Sequence, residues 1–167
     1  MDIAKVIKAI VILDAEGKRV LAEFFDTNLR AKQYEKKIFV KTKSLRSKDE
    51  ILIVDGTLVV HRFITDLHLY IVGAREENPL ILDSVMNCLV EVMTSLLSKV
   101  VDRQSLQCHL AQVILGLDEM CDNGVIMETD SNLVLQRINL KEDAADQSYA
   151  QKIQSATEHI KFPWIRS

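Results

Sequence analysis

The first apolar run, Val6–Leu13 (VIKAIVIL), is rich in β-branched residues and broken only by Lys8, which predicts a central strand covered on both faces. Asp14-Ala15-Glu16-Gly17-Lys18 reads as a turn, with Gly17 free to take positive φ. Arg19–Phe25 returns as the second strand of a hairpin. Asp26, Thr27 and Asn28 offer N-caps, and Ala31, Tyr34, Ile38, Thr42 and Leu45 fall at helical spacing, so an amphipathic helix is expected over about 29–43. Three short apolar stretches follow, Ile51–Val54, Thr57–Phe63 and Leu67–Gly73, separated by the turn pairs Asp55-Gly56 and Thr65-Asp66. They predict three further strands joined by hairpins.

The pattern then changes to a helical period. Asn78-Pro79 is a strong start signal, because Asn caps and Pro is preset for the first helical position. The expected helix reaches about Val101, with Asp83, Asn87, Glu91, Ser95, Ser98 and Asp102 on its polar face and an apolar face wider than half a turn. A second helix is expected over about Leu106–Cys121, ended by Asn123-Gly124 as a left-handed C-cap. Val125–Glu128 reads as extended, and Asp130 or Ser131 caps a short helix carrying Leu133, Val134 and Ile138. Residues 140–148 are polar and loop-like, and Gln147–Lys161 carries a thin apolar stripe. The expected fold is α+β: a five-stranded antiparallel sheet in a three-layer α/β/α arrangement, one helix on one face and two or more on the other. The expected division is a domain over 1–140, followed by a polar loop and a candidate helix over 141–167.

Composition narrows the function classes. A chain of 167 residues suits one domain and needs no disulfide or metal to fold. A net charge of −3 argues against nucleic-acid binding as its main task. Cys88, Cys108 and Cys121 form no CxxC pair and are expected as free thiols of a cytosolic protein. Asp2, Lys5 and Lys8 interrupt the start, so no signal peptide is read there, and no stretch is expected to meet the ~18 apolar residues of a membrane span.

Signals of catalytic chemistry are sparse in the sequence. The chain has neither GxxxxGK[ST] nor GxGxxG. His61 and His68 fall in strands, His109 and His159 stand alone, and none belongs to a metal-ligand pattern. Ser84, Ser95 and Ser98 lack a Gly-flanked elbow, and adjacent Asp118-Glu119 point different ways on a helix. No enzyme, no cofactor and no metal is expected. Charge is segregated instead: residues 30, 32, 36, 37, 41, 43, 46 and 48 are basic against Glu35 alone, while 118, 119, 122, 128, 130, 142, 143 and 146 are acidic against Arg137 and Lys141. These segments read either as two solvated faces or as a basic patch for an acidic partner or an anionic membrane.

Certain segments carry a family resemblance. The order of elements resembles the longin (SNARE-like) domain of membrane-trafficking proteins. Residues 115–130 (LGLDEMCDNGVIMETD) resemble the block shared by clathrin-adaptor small chains and coatomer zeta. Lys8–Asp14 (KAIVILD), Tyr34–Phe39 (YEKKIF) and the helix around Asn87-Cys88-Leu89 are similar to zeta rather than to adaptor sigma chains. The resemblance covers about residues 5–140. One departure matters: Cys108–Val113 (CHLAQV) lacks the aromatic-rich stretch of adaptor small chains, so their dileucine-cargo role is not carried over.

The resemblance implies a non-catalytic subunit of the COPI (coatomer) vesicle coat. It implies direct binding to the trunk of the coatomer gamma subunit, assembly with other coatomer subunits, and recruitment through the coat by an Arf-family GTPase. It places the chain in the cytoplasm and peripherally on Golgi membranes, in Golgi-to-ER retrograde and intra-Golgi transport. Two rival readings are an adaptor small chain reading cargo peptides and a longin-type regulator of a small GTPase. The wide apolar face of the long helix suggests Leu82, Met86, Val90 and Met93 as partner-binding residues, with a strand edge as the competing dock.

Overall fold

A computed structural model of the chain describes residues 4–44, 49–98 and 100–158. Its main sheet has strands β1 (Ile7–Asp14), β2 (Arg19–Phe24), β3 (Asp49–Val54), β4 (Thr57–Ile64) and β5 (Leu67–Ala74). All neighbours are antiparallel, in the order β2-β1-β5-β4-β3. The period-2 alternation of side chains divides the core. Ala9, Val11, Leu13, Val59, Tyr70 and Val72 face helix α1 (Ala31–Lys43), which contributes Tyr34 and Ile38. Ile10, Ile12, Leu58, Val60, Leu69 and Ile71 face helix α2 (Pro79–Leu96). Behind α2 lie α4 (Leu110–Met120) and the first turns of α5 (Ser131–Glu158), after the short α3 (Arg103–Cys108). The expected α+β, three-layer, five-stranded architecture is the one observed.

Local chemistry explains most boundaries. Asp55 and Gly56 have φ of 49° and 74°, the paired left-handed conformation that lets a two-residue hairpin follow the strand twist. Asn78 Oδ1 accepts from Leu80 N at 2.9 Å with Pro79 at the first helical position. Asn78→Ala should therefore lower stability by about 1 kcal/mol without changing the fold, as read by chemical denaturation.

Several elements depart from the expectation. Asp26, Thr27 and Asn28 do not cap α1: its N-cap is Arg30, without a side-chain bond, and Asp26 instead accepts from Asn28 N and Lys8 Nζ. Leu45, the last member of the α1 stripe, lies outside the described residues, as do Arg46 and Lys48 of the basic segment. Helix α2 ends at Leu96 rather than Val101, because Leu97 leaves helical geometry and Ser98 is left-handed (φ 55°). The expected helix 106–121 is two helices. Arg103 ties α3 to the sheet through an ion pair to Asp14 (3.1 Å) and a backbone bond to Asp66 (2.9 Å), while α4 packs along α2, and the axis changes at His109 (ψ 22°).

Asn123-Gly124 is not a C-cap. Both residues are left-handed (φ 49° and 86°) and turn a small hairpin between β6 (Cys121–Asp122) and β7 (Val125–Ile126). Gly124 O accepts from Ile7 N at 2.9 Å, and a Cβ on Gly124 would lie 2.5 Å from Ile7 O, so the hairpin can dock on β1 only with glycine there. Asp130 Oδ1 accepts from Asn132 N as the expected cap of α5. Residues 140–148 are helical, not a loop: Leu140, Lys141, Glu142, Ala144, Ala145 and Gln147 are strong helix formers, and polarity alone did not break the helix. Residues 159–161 of the expected last helix lie outside the described residues.

By length and composition α2 is long and apolar enough to cross a membrane, contrary to the expectation. Much of its apolar surface is nevertheless occupied within the chain, where Leu82, Val85, Met86, Cys88, Leu89, Val92 and Met93 are all buried, while Leu80 and Ile81 at its start are exposed.

Candidate partner interface

The expected interface residues of the long helix lie on a face that is already covered within the chain. Leu82, Met86 and Met93 are 0% exposed, and Val90 is partly buried against the same core. The sheet covers one side, where the Leu82 methyls crowd Gly73. Helices α4 and α5 cover the other. A Cβ on Gly116 of α4 would lie 3.2 Å from Val92 and 3.3 Å from Ile138, so this glycine allows three helices to meet closely. Leu82, Met86 and Met93 are therefore core residues and not a free surface. Two layers of this chain, the sheet and α4 with α5, flank the wide apolar face.

Large apolar side chains are exposed at several places, Leu80 and Ile81 at the start of α2 and Leu140 and Tyr149 on α5 among them, and also along one edge of the sheet. Edge strand β2 is half-buried from Val20 to Phe24. It borders the end of α4, where burial and then the Asp118 charge push the Glu23 carboxyl up. The opposite edge, β3, is open. Ile51 is 54% and Ile53 43% exposed, on the α2 side of the sheet opposite Val60 and Leu58. Helix α2 packs mainly on β5 and β4. On the other side of the same strand, Val40 of α1 is 57% exposed beside a groove of about 290 Å³ lined by Lys36, Lys37, Val40, Lys41, Val54 and Asp55.

The backbone of β3 follows from its turn. A two-residue hairpin makes Val54 and Thr57 the hydrogen-bonded pair next to the loop. Leu52 and Glu50 then also bond to β4, and the N–H and C=O of Ile51 and Ile53 point outward. Lys41 Nζ donates to Ile53 O at 3.4 Å, which agrees with that direction. The sequence did not mark this edge, because Ile51-Leu52-Ile53-Val54 is apolar throughout, as a central strand would be.

The charged segments differ in how far they are internally neutralised. On α1, Glu35 binds Arg19 at 2.6 Å and Lys37 binds Asp55 at 2.6 Å. Lys32, Lys36 and Lys43 remain exposed. In the acidic segment, Glu119 binds Arg137 and Lys141, and Glu128 binds Arg137 at 3.4 Å. Asp118 and Glu119 diverge as expected of neighbours on a helix, the first toward Glu23 and the second toward α5.

Other candidate chemistry stays within the core. His61 Nε2 and His68 Nδ1 are 2.9 Å apart between the sheet and α1, and both histidines are buried. Among the described residues no group of three or more His, Cys, Asp or Glu is placed to hold a metal ion. All three cysteines are free, and burial pushes the thiols of Cys88 and Cys121 up to about 11, which leaves them unreactive at neutral pH.

The chain resembles known proteins in sequence and in fold. The family model for the clathrin adaptor complex small chain matches residues 6–145. Coatomer subunit zeta-2 of Homo sapiens is 38% identical over 167 aligned residues, covering 96% of this chain and 79% of that protein. Coatomer subunit zeta-1 of Arabidopsis thaliana is 32% identical, covering 96% of this chain and 97% of that protein. A chain of a homology model of the full-length AP-3 complex in a stretched open conformation superposes with a TM-score of 0.65 at 14% identity, covering 87% of this chain and 98% of that one, a likeness of fold. With matched family residues spanning the sheet, α1 through α4 and the packed part of α5, the chain belongs to the clathrin adaptor complex small chain family and, within it, groups with the coatomer zeta subunits.

Proposed function

We propose that this chain is a non-catalytic structural subunit of the COPI (coatomer) coat that binds the gamma subunit directly. The observation that carries the reading is the 38% identity to a coatomer zeta subunit across 96% of this chain. The burial of His61, His68, Cys88 and Cys121 is consistent with a binding module. In this reading the chain works with other coatomer subunits on the cytosolic face of Golgi membranes, in Golgi-to-ER retrograde and intra-Golgi transport. An Arf-family GTPase recruits it only through the assembled coat.

The rival readings predict other partners. A cargo-reading adaptor small chain would join a clathrin-adaptor large chain, and a longin-type regulator would bind a bare GTPase. Affinity purification of the tagged full-length chain from cell lysate, probed for all three, separates them. Gamma coatomer is the expected partner, in an amount close to that of the tagged chain. Recovery of an adaptor large chain or of a GTPase without gamma would overturn the proposal.

A further inference from the structure

We propose that β3 is a strand-addition site, at which an extended, carboxylate-bearing segment of the large partner subunit adds a sixth strand to the sheet. This rests on the coat-subunit reading and adds to it the surface and the mode of binding.

Three features converge on this strand. Ile51 and Ile53 direct their backbone N–H and C=O groups away from β4, and among the described residues no strand pairs with that edge. Unpaired edge groups of this kind are a template for an incoming strand. Second, apolar side chains flank the edge on both faces of the sheet: Ile51 and Ile53 on one, Val40 beside its groove on the other. A pleated segment sends alternate residues to the two faces, so both could be covered at once.

Charge then selects the occupant. The groove is rimmed by Lys36, Lys37 and Lys41, and its one carboxylate, Asp55, is already bound by Lys37. Exposed Lys32 and Lys43 extend the positive field along α1. A segment carrying Asp or Glu would find partners for its charges there, whereas a basic one would be repelled. The bond from Lys41 to Ile53 O is long and exposed, so it can yield to a backbone donor of the added strand while the ammonium turns to a carboxylate.

The test uses the complex as purified. Hydrogen exchange is followed at the amides of Ile51 and Ile53 in the free chain and in the chain bound to gamma coatomer. They should exchange quickly when free and become strongly protected when bound, while the Leu52 amide, already paired with β4, changes less. Ile53→Pro removes one outward N–H and leaves the β4 ladder intact, so it should keep the circular dichroism spectrum and reduce capture of gamma at least about tenfold. As a second variant that spares the backbone, Lys36→Glu with Lys41→Glu should reduce capture by a similar factor. If the wild-type chain captures no gamma coatomer, the coat-subunit reading fails and the strand proposal with it. If gamma is captured but the Ile51 and Ile53 amides stay unprotected, only the strand proposal fails. Full capture by a folded Ile53→Pro chain would also overturn strand addition, and loss only in the lysine variant would assign the contact to α1 alone.

Discussion

Met86→Glu is expected to unfold the chain rather than to produce a folded chain that cannot bind. Met86 is 0% exposed, on the face of α2 enclosed by the sheet and by α4 and α5. A glutamate there must either desolvate a charge or take up a proton, and either route costs several kcal/mol. Loss of the methionine packing adds roughly 2–5 kcal/mol. Together these match the roughly 5–15 kcal/mol that a domain has in total. Circular dichroism and gamma capture on the same variant should both be lost. Met86→Leu, which conserves volume, should keep both, with a change under about 1.5 kcal/mol. A folded Met86→Glu chain that had lost only its partner would restore this face as the interface.

Met86 also illustrates where sequence reading stopped. That α2 is apolar around more than half its circumference is visible in the spacing of Leu82, Val85, Met86, Leu89, Val92 and Met93. What covers that face is not visible, because α5 comes from forty residues or more further along the chain and its packing residues, Val134 and Ile138, form a modest stripe. The strands were legible because each hairpin has its short apolar runs and its turn chemistry in one stretch, as at Asp55-Gly56. Asn123-Gly124 carries the same turn chemistry, yet its flanking strands are two residues each, too short to leave a period. The interface was legible only as a class of surface. A strand edge was one of two expected docks, but the residues that distinguish β3 from β2 are exposed because no described element lies beside them, and that leaves no mark on the local pattern. The basic run on α1 was read from composition, and the structure adds that Lys37 is neutralised by Asp55 while Lys36 is not paired among the described residues.

Stability should fall as pH drops from neutral to about 4, and His61 should account for much of the loss. The two histidines face each other across β4 and β5, with Phe39 of α1, Phe63 of β4 and Tyr70 of β5 packed around them. One ring nitrogen donates to the other across 2.9 Å, and His61 Nδ1 has no hydrogen-bond partner among the described residues. Burial first, and then the charge that His68 would carry, lower the His61 pKa to about 4. Burial likewise lowers that of His68, opposed by the Asp14 carboxylate. The unfolded chain takes up its histidine proton near pH 6.5, before the folded chain can. The folded state therefore binds fewer protons between these values, and its stability, complete above about 6.5, declines until the folded-state pKa is reached. For His61 the decline between pH 7.5 and pH 5 is on the order of 2 kcal/mol, from a shift of this size in a largely buried group. Denaturant titrations at the two pH values should show it in the wild type, together with the contribution of other groups. His61→Gln keeps a polar side chain of similar size and cannot titrate there, so its loss over the same interval should be smaller by about 2 kcal/mol. An equal loss in variant and wild type would mean that His61 charges inside the fold without penalty, and that the pair with His68 accommodates the proton.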